Sequence, residues 1–503
     1  MSESGFEAKF TMEGERPREL EVVPFRILCL GDWSAHGEKN PVDRRRPIEV
    51  DRDNFDEVMA RLDTRLELQL NGWAEPIFLE FKELDDFHPD RIFDSVPVFT
   101  ELRELRRRLM NRETYNAAAR EVRSSFNVSE ESDERSDESV EGDVTTSGSV
   151  LDAILETPAG GSTHKMQPAN TSELGRLVSD LVRPHLVSVD ENEQGALLAA
   201  VDAASGDLMR RILHDRNFQQ LEAAWRGLYL LIRRVETNIE LKVFVLDLAH
   251  SELCDDLKSV GDLTESTLYR HLVGEAVELA GGEPWAVVVG NYAFRSDTAD
   301  IAALIRVAKI AAAANAPFIS HMRPDVIGVG SLFENPDHRS WDLSDDYDDG
   351  KLWSALRGQH EAGFLGMTIP RFLARLPYGT QTEPLERFSF EEFAGTPKHD
   401  DYLWSNGGFV AALLLAQTFS EYGWEMSGRF AQDIDRLPMH IYEDSGETIY
   451  QPCSEVLLTE AAAERLMEHG LMPLVCFKNT DRVRLTRIQS VSGPITSLKG
   501  RWN

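Results

Sequence analysis

Cysteine is scarce in this chain: four residues in 503, Cys29, Cys254, Cys453 and Cys476, with no C-x-x-C spacing among them. That pattern supports neither a disulfide framework nor a zinc ribbon, and it fits a reducing compartment. Long apolar runs are missing too. No stretch approaches the roughly 20 apolar residues of a membrane span, and no basic, apolar leader opens the chain. Positive charge is short: 53 Lys and Arg stand against 86 Asp and Glu, a net charge of −33. Such a surface repels nucleic acid and anionic membrane, so neither is expected as a partner, and the expected location is the cytoplasm.

Catalytic patterns are also wanting. The 13 histidines include no pair at i, i+4, and His360-Glu361 lacks the second histidine of a zinc-protease helix. Gly160 to Lys165 does not satisfy the phosphate-loop spacing and reads as linker. Asp345 to Gly350 lacks the closing glutamate of a calcium loop and reads as a solvated turn. Arg226, beside Trp225, reads as an ion-pairing residue at a core edge. The sequence therefore predicts no catalytic residue, no cofactor and no metal site, and an α/β enzyme has no constellation to support it.

What is present is a globular chain, 42% hydrophobic, long enough to bury two or more cores. One break is clear. Ser129 to Asp143 carries eight carboxylates in fifteen residues, too few apolar groups to offset chain entropy, and is expected to be a disordered tether within 124–149.

Before it, Val22 to Leu30 and Pro47 to Val50 read as strands. Asp51 or Asp53 is expected to cap a helix with Phe55, Val58, Met59 and Leu62 on one face. Arg65 to Leu70 and Ile77 to Phe81 alternate as strands do, and Pro89 onward and Val98 to Met110 read as helices. A three-stranded sheet with helices is expected for 1–123. After the tether, Val150 to Glu156 reads either as a stray helical turn or as a tethered docking helix with Leu151, Ile154 and Leu155 on its apolar edge. Helix at Gln219 to Arg233, strand at Leu241 to Leu248, buried strand at Pro284 to Gly290, helix at Asp300 to Ala316 and strand from Pro317 predict a mixed α/β domain with partly parallel pairing. The expected organisation is 1–123, the tether 124–149, a helical segment 150–213, and a larger domain 214–503.

Residues 370–406 are the most distinctive. Pro370-Arg371-Phe372-Leu373 leads through Arg375 to Pro377-Tyr378-Gly379, then Phe388, Phe390 and Glu391-Glu392, then Tyr402-Leu403-Trp404 and Asn406. Local chemistry alone reads this as a loop anchored in a core by aromatic residues. Its order resembles the large sheath protein of type VI secretion systems (TssC, or VipB). His214-Asp215, Phe218-Gln219, Leu221-Glu222, Trp225-Arg226-Gly227-Leu228, Gly290-Asn291-Tyr292, Ala316-Pro317-Phe318-Ile319, Trp353, Leu356-Arg357, Tyr422-Gly423-Trp424, Leu437-Pro438, Pro452, Glu455-Val456, Gly470 and Pro473-Leu474 extend the resemblance. In the first part, Phe25 to Asp32, Arg46-Pro47-Ile48, Asp51 to Phe55, Phe81-Lys82 with Leu84, Phe87 to Asp90, and Val96-Pro97 with Leu102 are similar to the small sheath protein (TssB, or VipA).

The resemblance implies a fusion of small and large sheath subunits forming one protomer. Its implied partners are further sheath subunits, an inner tube, baseplate components and a recycling AAA+ ATPase, the last docking on Leu151, Ile154 and Leu155. The driving force of contraction would lie in interfaces, without a cofactor. Large sheath proteins continue past the Gln-Ser pair, here Gln489-Ser490, into a C-terminal domain, whereas this sequence stops at Asn503. We therefore expect a monomer or small oligomer when the chain is alone. The alternative is a truncated accessory factor that caps or nucleates a sheath.

Overall fold

The computed structural model describes residues 23–37, 39–70, 73, 75–122, 178, 181–182, 193–344 and 347–503. The acidic tether, the helix expected at 150–156 with Leu151, Ile154 and Leu155, and Gly160 to Lys165 lie outside the described residues. Strands are β1 (Phe25–Gly31), β2 (Ile48–Val50), β3 (Arg65–Leu68), β4 (Ile77–Glu80), β5 (Leu241–Asp247), β6 (Val287–Phe294), β7 (Phe318–Met322), β8 (Leu365–Ile369), β9 (Phe372–Leu373), β10 (Trp404–Ser405), β11 (Asp433–Ile434), β12 (His440–Asp444), β13 (Glu447–Gln451), β14 (Met472–Cys476) and β15 (Val483–Leu485). Helices are α1 (Phe55–Arg61), α2 (Pro89–Ser95), α3 (Pro97–Met110), α4 (Glu193–Leu213), α5 (Arg216–Arg234), α6 (His250–Ser259), α7 (Thr298–Ala314), α8 (Asp348–Arg357), α9 (Gly407–Tyr422) and α10 (Glu460–Glu468).

The chain forms two compact units, and neither follows chain order. The first takes in residues 1–64, 220–375 and 403–503; the second takes in 65–219 and 376–402. Each therefore draws on residues from both sides of the acidic stretch.

A nine-stranded mixed sheet organises the first unit, in the order β11-β15-β14-β8-β7-β6-β1-β5-β2. Its middle is parallel: β1 pairs with β5 along Phe25↔Leu241 to Gly31↔Asp247, and with β6 from Ile27↔Val287. The antiparallel strands β2, β15 and β11 lie at its margins. Six of the seven β1 residues are buried, as a strand covered on both faces requires. The expected three-stranded sheet for 1–123 is therefore corrected. β1 takes both neighbours from residues beyond the tether, while among the described residues β3 and β4 pair only with each other. The reason is legible in the residues: Ile27 to Leu30 is apolar on both faces, whereas β3 and β4 alternate.

Helix α1 starts at Phe55 with Asn54 as N-cap, and no side chain caps it. Asp51 instead accepts from the N–H groups of Asp53 and Asn54, forming the turn that precedes the helix. Helix α7 is capped by Asp297, whose Oδ1 accepts from Ala299 and Asp300, and ends on Asn315 in the left-handed region. Asp348 and Asp349, expected in a solvated turn, open helix α8, where acidic side chains suit the helix dipole. Helix α9, buried along most of its length, was not anticipated.

In the second unit α3 lies against α4, and Phe81, Phe87 and Phe218 form an aromatic cluster with centroids 4.1–6.1 Å apart. Leu66, Leu68, Ile77 and Leu79 face inward, while Phe78 on the outer face is 69% exposed.

Candidate functional site

The signature residues resolve into two knots, one in each unit. In the first, Arg371 grips Oε1 of Glu455 through Nε and Nη2 at 2.9 and 2.6 Å, and its N–H donates to Oε2 at 2.7 Å. Strand β9 then pairs with β10, bringing Leu373 opposite Trp404. Beyond it the buried Arg375 reaches Oε1 of the fully buried Glu222 at 2.8 Å, and Arg226, one turn along α5, reaches the same oxygen at 2.7 Å. Two guanidinium groups thus satisfy one carboxylate, which is what makes so deeply buried an acid tolerable.

Asn406 does two jobs. Its Oδ1 accepts from the N–H of Gly408, capping α9, and its Nδ2 donates to the carbonyls of Gly290 and Tyr292 at 3.2 and 2.8 Å. The β6–β7 register shifts between Val289 and Ala293, so these carbonyls miss the ladder and need side-chain donors. Ser320 Oγ also lies 2.7 and 3.0 Å from them. Ser405 Oγ donates to Ala223 O, and Trp225 Nε1 donates to Trp33 O. Gly227 is required where α5 passes this corner, since a Cβ there would sit 2.5 Å from the Phe409 ring.

In the second unit, Glu392 Oε2 accepts from the Tyr378 N–H at 2.7 Å and the Glu392 N–H donates back to Tyr378 O at 2.8 Å. The Asp90 carboxylate accepts from the N–H groups of Glu386 and Arg387, Phe388 stacks on Phe93 at 4.3 Å, and His88 meets Tyr378 edge-on at 4.9 Å. Residues from either side of the tether thus meet inside this unit as well.

These polar groups are engaged with backbone and with one another, and none forms a nucleophile–base pair. Arg226 is the ion-pairing residue the sequence suggested. Another link across the tether is ionic: Arg45 holds Glu252 in a fork at 2.6 and 2.8 Å. Burial opposes charge on Glu252, but Arg45, the Ala249 N–H and Lys39 together outweigh it and hold that carboxyl below its usual range. All four cysteines are free, with Cys453 and Cys476 Sγ atoms 3.0 Å apart. Among the described residues, His250, Cys254 and Asp300 are the metal-competent side chains that converge, their ligand atoms all within 4.8 Å of one another. No histidine pair or C-x-x-C spacing marks them in the sequence; the His-x-x-x-Cys spacing on one helix face is the signal they carry.

The distinctive residues of this mixed α/β fold are spent on joining segments distant in the sequence. The comparisons name its kind. Residues 195–492 match the family VipB, described as EvpB/VC_A0108, tail sheath N-terminal domain, and residues 8–137 match T6SS_VipA, described as type VI secretion system, VipA, VC_A0107 or Hcp2. The chain belongs to the type VI secretion tail sheath family. It is 36% identical over 308 residues to the type VI secretion system sheath protein TssC1 of Pseudomonas aeruginosa, a match covering 59% of this chain and 61% of that protein. No helix among the described residues is long and apolar enough to cross a membrane.

Proposed function

We propose that this chain is a structural subunit of a type VI secretion contractile sheath, in which small and large sheath proteins are fused into one protomer that assembles around the inner tube. The observation that carries the reading is β1: a strand from the VipA-matched residues lies between β5 and β6 from the VipB-matched residues. Neither half alone can satisfy those strand edges or cover that apolar face. The protomer works in the cytoplasm without catalysis of its own, with 1–123 as the small-subunit part and 214–503 as the large-subunit part. Its partners are other sheath subunits, tube and baseplate proteins and a recycling ATPase that docks on Leu151, Ile154 and Leu155.

Expressed separately, residues 1–128 and 147–503 should be insoluble or unfolded, and co-expressed they should copurify as an equimolar complex. Two soluble, monomeric, non-interacting fragments would refute the single-protomer reading. Electron microscopy of the whole chain with tube protein tests assembly: sheathed tubes are expected, and bare tubes capped only at their ends would turn the reading to an accessory factor.

A further inference from the structure

The convergence of His250, Cys254 and Asp300 is unused by the sheath reading, and it has a specific geometry. His250 and Cys254 stand one turn apart on α6, so both project from the same face. Asp300, in the first turn of α7, is 6% exposed and reaches the same point from the neighbouring helix. Nε2 of His250 lies 3.2 Å from Asp300 Oδ1 and 3.9 Å from Cys254 Sγ.

Both contacts fall on one ring nitrogen. A nucleophile–base–orienter triad divides them between Nε2 and Nδ1, so this arrangement is not that of a cysteine hydrolase. Three different ligand atoms aimed at one point is the arrangement a metal ion needs. A tetrahedral zinc with ligands at about 2.0–2.3 Å separates them by roughly 3.3–3.8 Å. The limit of 4.8 Å seen here closes to that by side-chain adjustment.

The surroundings fix the ligands as metal sites require. Asp300 Oδ2 accepts from the Arg295 N–H at 2.7 Å, which orients the carboxylate and leaves Oδ1 facing the histidine. The His250 ring is wedged against Tyr292 and Phe294, with centroids 5.6 and 5.0 Å away, and its side chain is 37% exposed, giving an entry path. Outer contacts of this kind hold first ligands in place.

We propose that His250, Cys254 and Asp300 form a three-ligand site for a divalent transition ion, zinc by its mix of imidazole, thiolate and carboxylate. Water completes the coordination. The ion ties α6 to α7, and its binding releases to solvent the proton between His250 and Asp300 and the thiol proton of Cys254.

Cobalt titration of the reduced full-length chain tests this. One equivalent should produce a thiolate-to-cobalt charge-transfer band with tetrahedral visible bands, and zinc should abolish both. C254S should lose the charge-transfer band and bind zinc about tenfold or more weaker, while C453S keeps the wild-type spectrum. Zinc should also slow alkylation of Cys254 in the wild-type protein, mapped by mass spectrometry, a readout that needs no variant to fold. No band in wild type, a band surviving in C254S, or alkylation of Cys254 indifferent to zinc would each overturn the site.

Discussion

Strands β1 and β3–β4 lie close together in the sequence and end in opposite surroundings. β1 has a strand on each side and almost no exposed residue. The β3–β4 hairpin has one buried face and one face that carries the exposed Phe78. A strand buried on both faces is constrained at every residue, and a half-buried one only at alternate positions. The contrast separates residues that hold the protomer together from those that only finish its surface.

The sharpest way to break this contrast is to charge the interior strand. I27D places an unpaired carboxylate at a fully buried site and should cost as much as the roughly 5–15 kcal/mol that holds a domain folded. No soluble full-length chain is expected, and a wild-type melting curve would show that β1 is dispensable.

The next effect is the buried ion cluster of the same unit. E222A removes the buried carboxylate that Arg375 and Arg226 share and should destabilise by about 3–5 kcal/mol, read in denaturant titrations. R226A, removing the more exposed guanidinium, should cost less; equal losses would contradict the burial difference.

Acid should reveal His321 in β7. Burial, despite the attraction of Glu455, lowers its pKa to about 4. The unfolded chain takes up this proton near pH 6.5 and the folded chain only near pH 4. The unfolded state therefore binds more protons between those values, and stability falls as pH drops through that window, by roughly 3 kcal/mol in total. H321Q should flatten this part of the pH profile relative to wild type. Parallel profiles would show that other groups cause the loss.

The smallest effect belongs to the hairpin's outer face. F78S should change stability by no more than about 0.5 kcal/mol. A loss above about 2 kcal/mol would mean that this face is covered in solution.

Much of this was readable in advance. The largely apolar run at Phe25 to Leu30, the alternation of Leu66 and Leu68, and the helical spacing of Leu221, Trp225 and Leu228 each announce their element, because local periodicity follows from which face is buried. The signature residues could be recognised by their order, yet not understood. Nothing in the chain says that Arg375 must find Glu222, or that Asn406 must serve the carbonyls freed by a register shift in β6. Those contacts span 153 and more than 110 residues and exist only once the sheet has formed. Asp300 joins His250 and Cys254 in the same way, delivered by the strand between their helices.

By itself, then, the sequence determined the mixed α/β class, the sheath resemblance and the position of about half the strands and helices, since periodicity, turn residues and motif order are local properties. Tertiary structure alone decided which strands are neighbours. β1 could have paired within its own part of the chain. It lies between β5 and β6 because only there are both its apolar faces covered and both its edges hydrogen-bonded, and that pairing makes one protomer from two families' worth of sequence.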